Sequence, residues 1–213
     1  VVAALCARTG FETHALLMPT KYSNERNLSD ALKLCSDLKI THKIIEIQPI
    51  LESFTAQIGE SLSNLRIGNL SARARVCLLY DYSAKINALV VGTSNKSERL
   101  LGYGTIYGDM ACALNPIGEL FKTEIYELAR ELGIDEKIIA KAPSADLWEG
   151  QSDEADIGYS YERLDEVLRL AQSKGEAELA SEFDPKLVST VFSRMRANKF
   201  KLSQPPIASV DVE

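Results

Sequence analysis

Leu89-Val90-Val91-Gly92-Thr93-Ser94-Asn95-Lys96-Ser97-Glu98 is the stretch around which the chain is organised. Its first half is a short apolar, β-branched run that reads as a buried parallel strand, Ala88 to Gly92. Gly92 ends that run where the backbone must come close to something. Thr93 to Glu98 then place hydroxyls, an amide, a cation and a carboxylate at the mouth of a strand, where open α/β sheets bind ligands. The same composition also suits an ordinary strand-to-helix turn with Ser94 or Asn95 as N-cap. The rest of the sequence has to decide between the two.

With 213 residues and 46% hydrophobic content, the chain can bury a full core and is most simply one domain. A net charge of −6 gives no reason to expect a nucleic-acid partner. No apolar run approaches the roughly 18 residues of a membrane span, and the expected setting is soluble and cytoplasmic. Cys6, Cys35, Cys77 and Cys112 are far apart and lack metal-knuckle or disulfide spacing, so they read as small buried residues. With only His14 and His42, a zinc site or histidine-dependent triad is disfavoured, and catalysis must rest on other groups.

Taken in order, Val1–Cys6 reads as a helix without an N-cap, followed by a strand over Thr13–Met18. In a β-α-β alternation that order implies an earlier strand, so the chain is expected to start inside a βαβ unit. Leu28, Ala31, Leu32, Cys35 and Leu38 recur at helical spacing, Lys43–Ile47 reads as the next strand, and Ile50–Ile58 is weakly helical. A polar connection over Gly59–Gly68 leads to a helix from Asn69 to about Lys85, with Arg73 and Arg75 near its start. Cations sit poorly there, so an anionic ligand nearby would explain them, although an arginine with a buried stem and solvated head fits equally well.

Gly102, Gly104 and Gly108 open the backbone between Glu98 and Asp109. The next helix, from about Glu119 to Leu132, carries Lys122 in its first turn, which is unfavourable unless it faces phosphate. Ser144–Ser160 reads as a long acidic loop holding the single tryptophan, Trp148, and suits a lid, a metal-bearing segment or a disordered connector. Helices are expected over Tyr161–Ser173 and from Asp184 (N-cap) and Pro185 (N1) to about Lys199, with a tail lacking regular structure after Pro206. The implied divisions are an α/β core over 1–142, an active-site loop over 143–160, and C-terminal helices and tail over 161–213.

Five separated segments together resemble ammonia-dependent NAD synthetase: Val91–Glu98, Gly104–Asp109, Asn115–Gly118 with Lys122, Pro143–Leu147 and Gln151–Glu154. Order and spacing match over essentially the whole chain. The resemblance implies an α/β fold with a three-layer parallel sheet, of the adenine-nucleotide α-hydrolase-like (ATP pyrophosphatase) kind. It implies a homodimer that amidates deamido-NAD (nicotinic acid adenine dinucleotide) with ammonia and ATP. The substrate carboxylate attacks the α-phosphorus to give an NAD-adenylate and pyrophosphate, and ammonia then displaces AMP.

By the same resemblance, Asn69, Arg73 and Asp109 contact deamido-NAD, while Thr93, Lys122 and Ser144 contact ATP. Glu98 holds Mg2+, and Lys122 and Asp109 stand nearest the chemistry. Such a reaction needs no enzyme nucleophile; it needs two anionic substrates in line and cations beside developing phosphate charge. Members of the family begin with a strand and a Ser-Gly-Gly-x-Asp-Ser pyrophosphate loop before the helix that starts here at Val1, so the expectation is an N-terminally truncated fold. A second reading is an inactive dimerising or dinucleotide-binding fragment. A third is a GMP synthetase-like ATP pyrophosphatase, against which the Gly92–Glu98 and Pro143–Leu147 segments speak.

Overall fold

Five helix starts are fixed by side chains whose oxygens accept an orphan backbone N–H: Asn24, Ser63, Asn95, Asp135 and Asp184. The computed structural model describes residues 1–148 and 150–210; Glu149 of the acidic loop and the terminal 211–213 lie outside the described residues. The elements run α1 (Val2–Arg8), β1 (His14–Leu17), α2 (Glu25–Asp37), β2 (Thr41–Ile44), α3 (Gln48–Ile58), α4 (Asn64–Ile86) and α5 (Lys96–Leu101). They continue through α6 (Lys122–Glu131), α7 (Glu136–Ile139), α8 (Asp153–Ile157), α9 (Tyr161–Leu170), α10 (Glu176–Glu182) and α11 (Pro185–Asn198) to a 3-10 turn, Lys199–Leu202.

Strands β1 and β2 pair in parallel, with His14 opposite Thr41 and Leu17 opposite Ile44. The second strand starts earlier than the Lys43–Ile47 reading, at Thr41, and Ile45 and Ile47 continue its pairing by donating to the carbonyls of Leu17 and Pro19. The strand expected over Ala88–Gly92 is not a full strand. Among the described residues it makes one parallel bridge, Val91 with Leu114, closed by Ala113 N–H to Val90 O and Gly92 N–H to Leu114 O. Leu89, read as buried, is 72% exposed.

Helices flank these strands in separate cores, giving an α/β layering. Ala4, Ala129, Leu132, Ile134 and Ile139 join α1, α6 and α7, with Leu34 and Leu38 of the α2 region against them. Ile47, Leu51 and Ala74 join α3 to α4, with Met18 at the end of β1 packed alongside. The third and largest core unites α5, α8, α9, α10 and α11 through Leu101, Ile157, Leu164, Leu168, Leu179, Leu187, Val188 and Val191. None of the helices among the described residues is long and apolar enough to cross a membrane.

Two helix readings need correcting. Helix α4 starts at Asn64 under a Ser63 cap, so Arg73 and Arg75 lie in mid-helix and the end-dipole argument for an anion beside them does not hold. The acidic loop contains α8, and α10 lies between the two C-terminal helices, opened by Gly175 without a side-chain cap that would have marked it. Beyond the 3-10 turn, Ile207 and Val210 are exposed and no regular structure forms over 203–210, as expected.

Gly102 ends α5 in the left-handed region at φ +65°, and a Cβ built there would lie 2.1 Å from Asn198 Cβ. Gly102→Ala is therefore expected to cost about 2 kcal/mol or more, from backbone strain plus displacement of α11. Tm should fall by roughly 4–8 °C in a thermal melt.

Candidate active site

Asn95 and Glu98 form a reciprocal cap at the start of α5. Asn95 Oδ1 accepts from Glu98 N–H at 3.0 Å, and Glu98 Oε2 accepts from Asn95 N–H at 2.9 Å. This occupies one carboxylate oxygen and leaves the other, Oε1, to accept from Lys122 Nζ at 3.2 Å. Both side chains of the pair are 17% exposed. Burial pushes the Glu98 carboxyl up from its ordinary value, and the Lys122 ammonium and the Asn95 N–H oppose that shift without cancelling it. Lys122 also lies 5.2 Å from the ring centroid of Tyr161, a fully buried side chain of α9.

The pair faces a cleft of about 900 Å³. Asn69, Thr93, Glu98, Asp109, Lys122 and Ser144 all line it, so the structure brings six of the seven residues singled out from the sequence to one place. Arg73 does not line the cleft; it is exposed and donates to the Ile106 carbonyl at 3.3 Å behind the glycine-containing rim. Its neighbour Arg75 does line the cleft, with Nε and Nη2 both donating to Met18 O at 3.1 Å, and burial lowers its pKa. The reading of a solvated head does not hold for Arg75, whose guanidinium is tied to the Met18 carbonyl just beyond β1.

Gly92 makes the close approach expected of it: a Cβ there would meet Cys112 Sγ at 2.5 Å, where the 90–92 and 113–114 segments bridge. Across the cleft Thr105 Oγ1 donates to Asn69 Oδ1 and Asp109 Oδ1 accepts from Thr105 N–H, each at 2.9 Å. Asp109 is exposed and points its remaining oxygen to no partner within the hydrogen bonds of this loop.

Several groups in the cleft carry weak sequence signals. Asp153, at the first position of α8, is 4% exposed with Oδ1 unpartnered and Oδ2 accepting from Tyr161 OH at 3.4 Å. Burial raises its pKa and that of Tyr161, and burial with an Asp156 hydrogen bond does the same for Tyr103. Lys201 donates to Gly102 O at 2.8 Å and Gly104 O at 3.0 Å and lines the cleft with Arg194. Nothing in local spacing announces these placements, since each depends on α9 or α11 folding back onto α5.

The cleft opens where β1 and the Val90–Gly92 segment end, and that is where parallel α/β proteins bind their ligands. The molecule is of the adenine-nucleotide α-hydrolase-like class. The family model described as NAD synthase matches residues 1–205, and the chain belongs to that family. It is 55% identical over 211 residues to an NH(3)-dependent NAD(+) synthetase of Campylobacter jejuni, covering 99% of this chain and 85% of that protein. A Helicobacter pylori protein of the same name is 50% identical over 216 residues, covering 98% of this chain and 83% of the relative. Among solved structures, the NMN synthetase of Francisella tularensis superposes with TM-score 0.89 at 32% identity, covering 98% of this chain and 84% of that one. The C. jejuni NH3-dependent NAD synthetase, solved with nitrate, gives TM-score 0.81 at 47% identity, covering 98% and 83%.

Asp153 yields a pH test. Its folded pKa lies above its unfolded value, so the folded state holds more protons in that window and stability falls as pH rises through it. Asp153→Asn removes the titration. The variant should therefore melt above the wild type at pH 7, by roughly 2–4 °C for each kcal/mol of relief, with the gap closing as pH approaches 4. A gap that is constant with pH would contradict this account.

Proposed function

We propose that this chain catalyses ATP-dependent amidation of deamido-NAD by ammonia to NAD+, through an NAD-adenylate, releasing pyrophosphate and then AMP. The observation that carries the reading is the Glu98–Lys122 pair at the floor of a cleft that Thr93, Ser144, Asn69 and Asp109 also line. Lys122 stands where an ammonium can swing from Glu98 to a phosphate oxygen and offset charge that develops during adenylation. Thr93 and Ser144 supply hydroxyl donors in the same cleft, and Asn69 and Asp109, joined through Thr105, are assigned to the second substrate. Arg73 enters the assignment as a cation at the rim, able to reach a dinucleotide phosphate that extends past Ile106.

Asp109 is exposed, acidic and free to take the proton that ammonium sheds before attack. Glu98 fits Mg2+ as a single carboxylate donor, which is common where triphosphate oxygens and water complete the shell. Among the described residues no cluster of three or more potential ligands exists, consistent with a metal that arrives with nucleotide. Bound there, Mg2+ would neutralise phosphate charge and orient the leaving pyrophosphate.

The reading includes a homodimer in the cytoplasm, with the exposed Leu65 and Tyr80 on α4 as part of the subunit contact. It also keeps the division into a core to 142, a loop over 143–160 and C-terminal helices. The high similarity to named synthetases over more than four-fifths of their length lends no support to the inactive-fragment reading. A second substrate, the acid mononucleotide, is favoured by the 0.89 superposition on an NMN synthetase.

The deciding assay is ammonia-dependent product formation with ATP and Mg2+ from the acid dinucleotide and, in parallel, from the acid mononucleotide. Turnover of the dinucleotide at the higher kcat/KM is expected, and preference for the mononucleotide would replace the reading with the second. Lys122→Met should lower kcat by roughly 10²–10³-fold. Asp109→Asn should lower ammonia-dependent turnover, and full activity in that variant would remove Asp109 from the mechanism.

A further inference from the structure

Asp165 is 1% exposed in the middle of α9, a placement that is costly for a carboxylate unless donors surround it. The donors come from two other helix starts. Ser97 Oγ–H donates to Asp165 Oδ1 at 2.5 Å, while Thr123 N–H and Thr123 Oγ1–H both donate to Oδ2 at 2.9 Å. Ser97 Oγ in turn accepts from Lys122 N–H at 2.9 Å. Helix α6 has Phe121 at its N-cap position, a side chain with no acceptor, so its first two N–H groups have only this network to satisfy them. Asp165 therefore serves as the cap of a helix in another part of the chain, with its charge at the positive end of the α6 dipole.

The two residues joined in this way each adjoin a site group. Ser97 precedes Glu98 on α5, and Thr123 follows Lys122 on α6. Asp165 bonds to both helix starts from a third helix, beside the direct links that Glu98 and Ser97 of α5 make to Lys122. Asp165 does not line the cleft, so it has no route to substrate itself. We propose that Asp165 is the positioning residue that fixes the separation of Glu98 and Lys122, and with it the site for the ATP phosphates. The inference rests on the reading of Lys122 as a phosphate ligand given above.

Asparagine at 165 keeps the volume but has one acceptor oxygen. Facing its amide nitrogen to Thr123 N–H sets donor against donor, and facing it to Ser97 removes the acceptor that holds that hydroxyl. The test is calorimetric titration of Mg·ATP, without ammonia or second substrate, into wild type, Asp165→Asn, Lys122→Met and the double variant, each shown to be folded by thermal melting. Asp165→Asn should weaken ATP binding by about tenfold alone and by less than about twofold in the Lys122→Met background, because the two act through one group. Affinity for deamido-NAD should stay within about twofold of wild type in Asp165→Asn.

Unchanged ATP affinity in folded Asp165→Asn would overturn the proposal and leave the Lys122 reading intact. So would an equal loss in both backgrounds, which would indicate general loosening. Wild-type-like affinity in Lys122→Met would instead overturn the Lys122 reading, and this inference with it. Should Asp165→Asn fail to fold, Ser97→Ala takes its place, cutting one limb of the network with the same pattern of losses expected.

Discussion

A lysine at the first position of a helix is repelled by the helix it begins, and much of this structure is arranged around holding Lys122 there. The acids lie where they offset that repulsion. Glu98 pairs with the ammonium, Glu124 Oε2 accepts from Phe121 N–H at 2.7 Å, and Asp165 takes the Thr123 N–H. Each acid comes from a different turn or helix, so the cation is stable only when α5, α6 and α9 are all in place. A partly buried ion pair of this kind contributes little net stability by itself, because desolvation offsets the Coulomb gain. Its value lies in holding a charge near the surface of a cleft without letting it relax into water.

The C-terminal third of the chain is accordingly part of the site. The core formed by α5, α9 and α11 places Tyr161 under Lys122, Asp153 beside Tyr161, and Lys201 on the glycine-containing rim. The burial that makes Tyr161, Leu164 and Leu168 fully inaccessible also sets the low-dielectric wall against which Glu98 and Asp153 are protonated more readily than in water. Packing and electrostatics are thus two results of one helix docking.

Local chemistry was legible in the sequence where it is local in space. A cap at Ser94 or Asn95 (the structure gives it to Asn95), Asp184 and Pro185 opening a helix, and Lys122 in a first turn all follow from residues within four positions of one another. The sequence segments that carry six of the seven residues singled out also meet in one cleft, Thr93 and Glu98 directly at the strand-to-helix turn. What failed depended on partners distant in sequence. The apolar run at Ala88–Gly92 has the composition of a buried strand, yet it finds only Leu114 to bridge, and Leu89 stays exposed. The start of α4 was placed too late because its boundary is set by Ser63, a cap hidden in a stretch of serines and asparagines any of which could have served, and the end-dipole argument for Arg73 and Arg75 fell with it. The buried carboxylate of Asp165 looked like one more charge on an amphipathic helix, and its acceptors are satisfied only by residues 42 and 68 positions away.

Lys201 bonds two carbonyls 97 and 99 positions earlier in the chain, and among the described residues no nearer side chain holds them. Such a contact closes a very long loop, and the entropy of that closure is offset by the docking of the helices between. During synthesis the rim of the cleft emerges well before the lysine that secures it. The glycine-containing edge of the cleft is therefore secured by a residue synthesised almost a hundred positions after it, and the two carbonyls have no side-chain donor among the described residues until that segment is present.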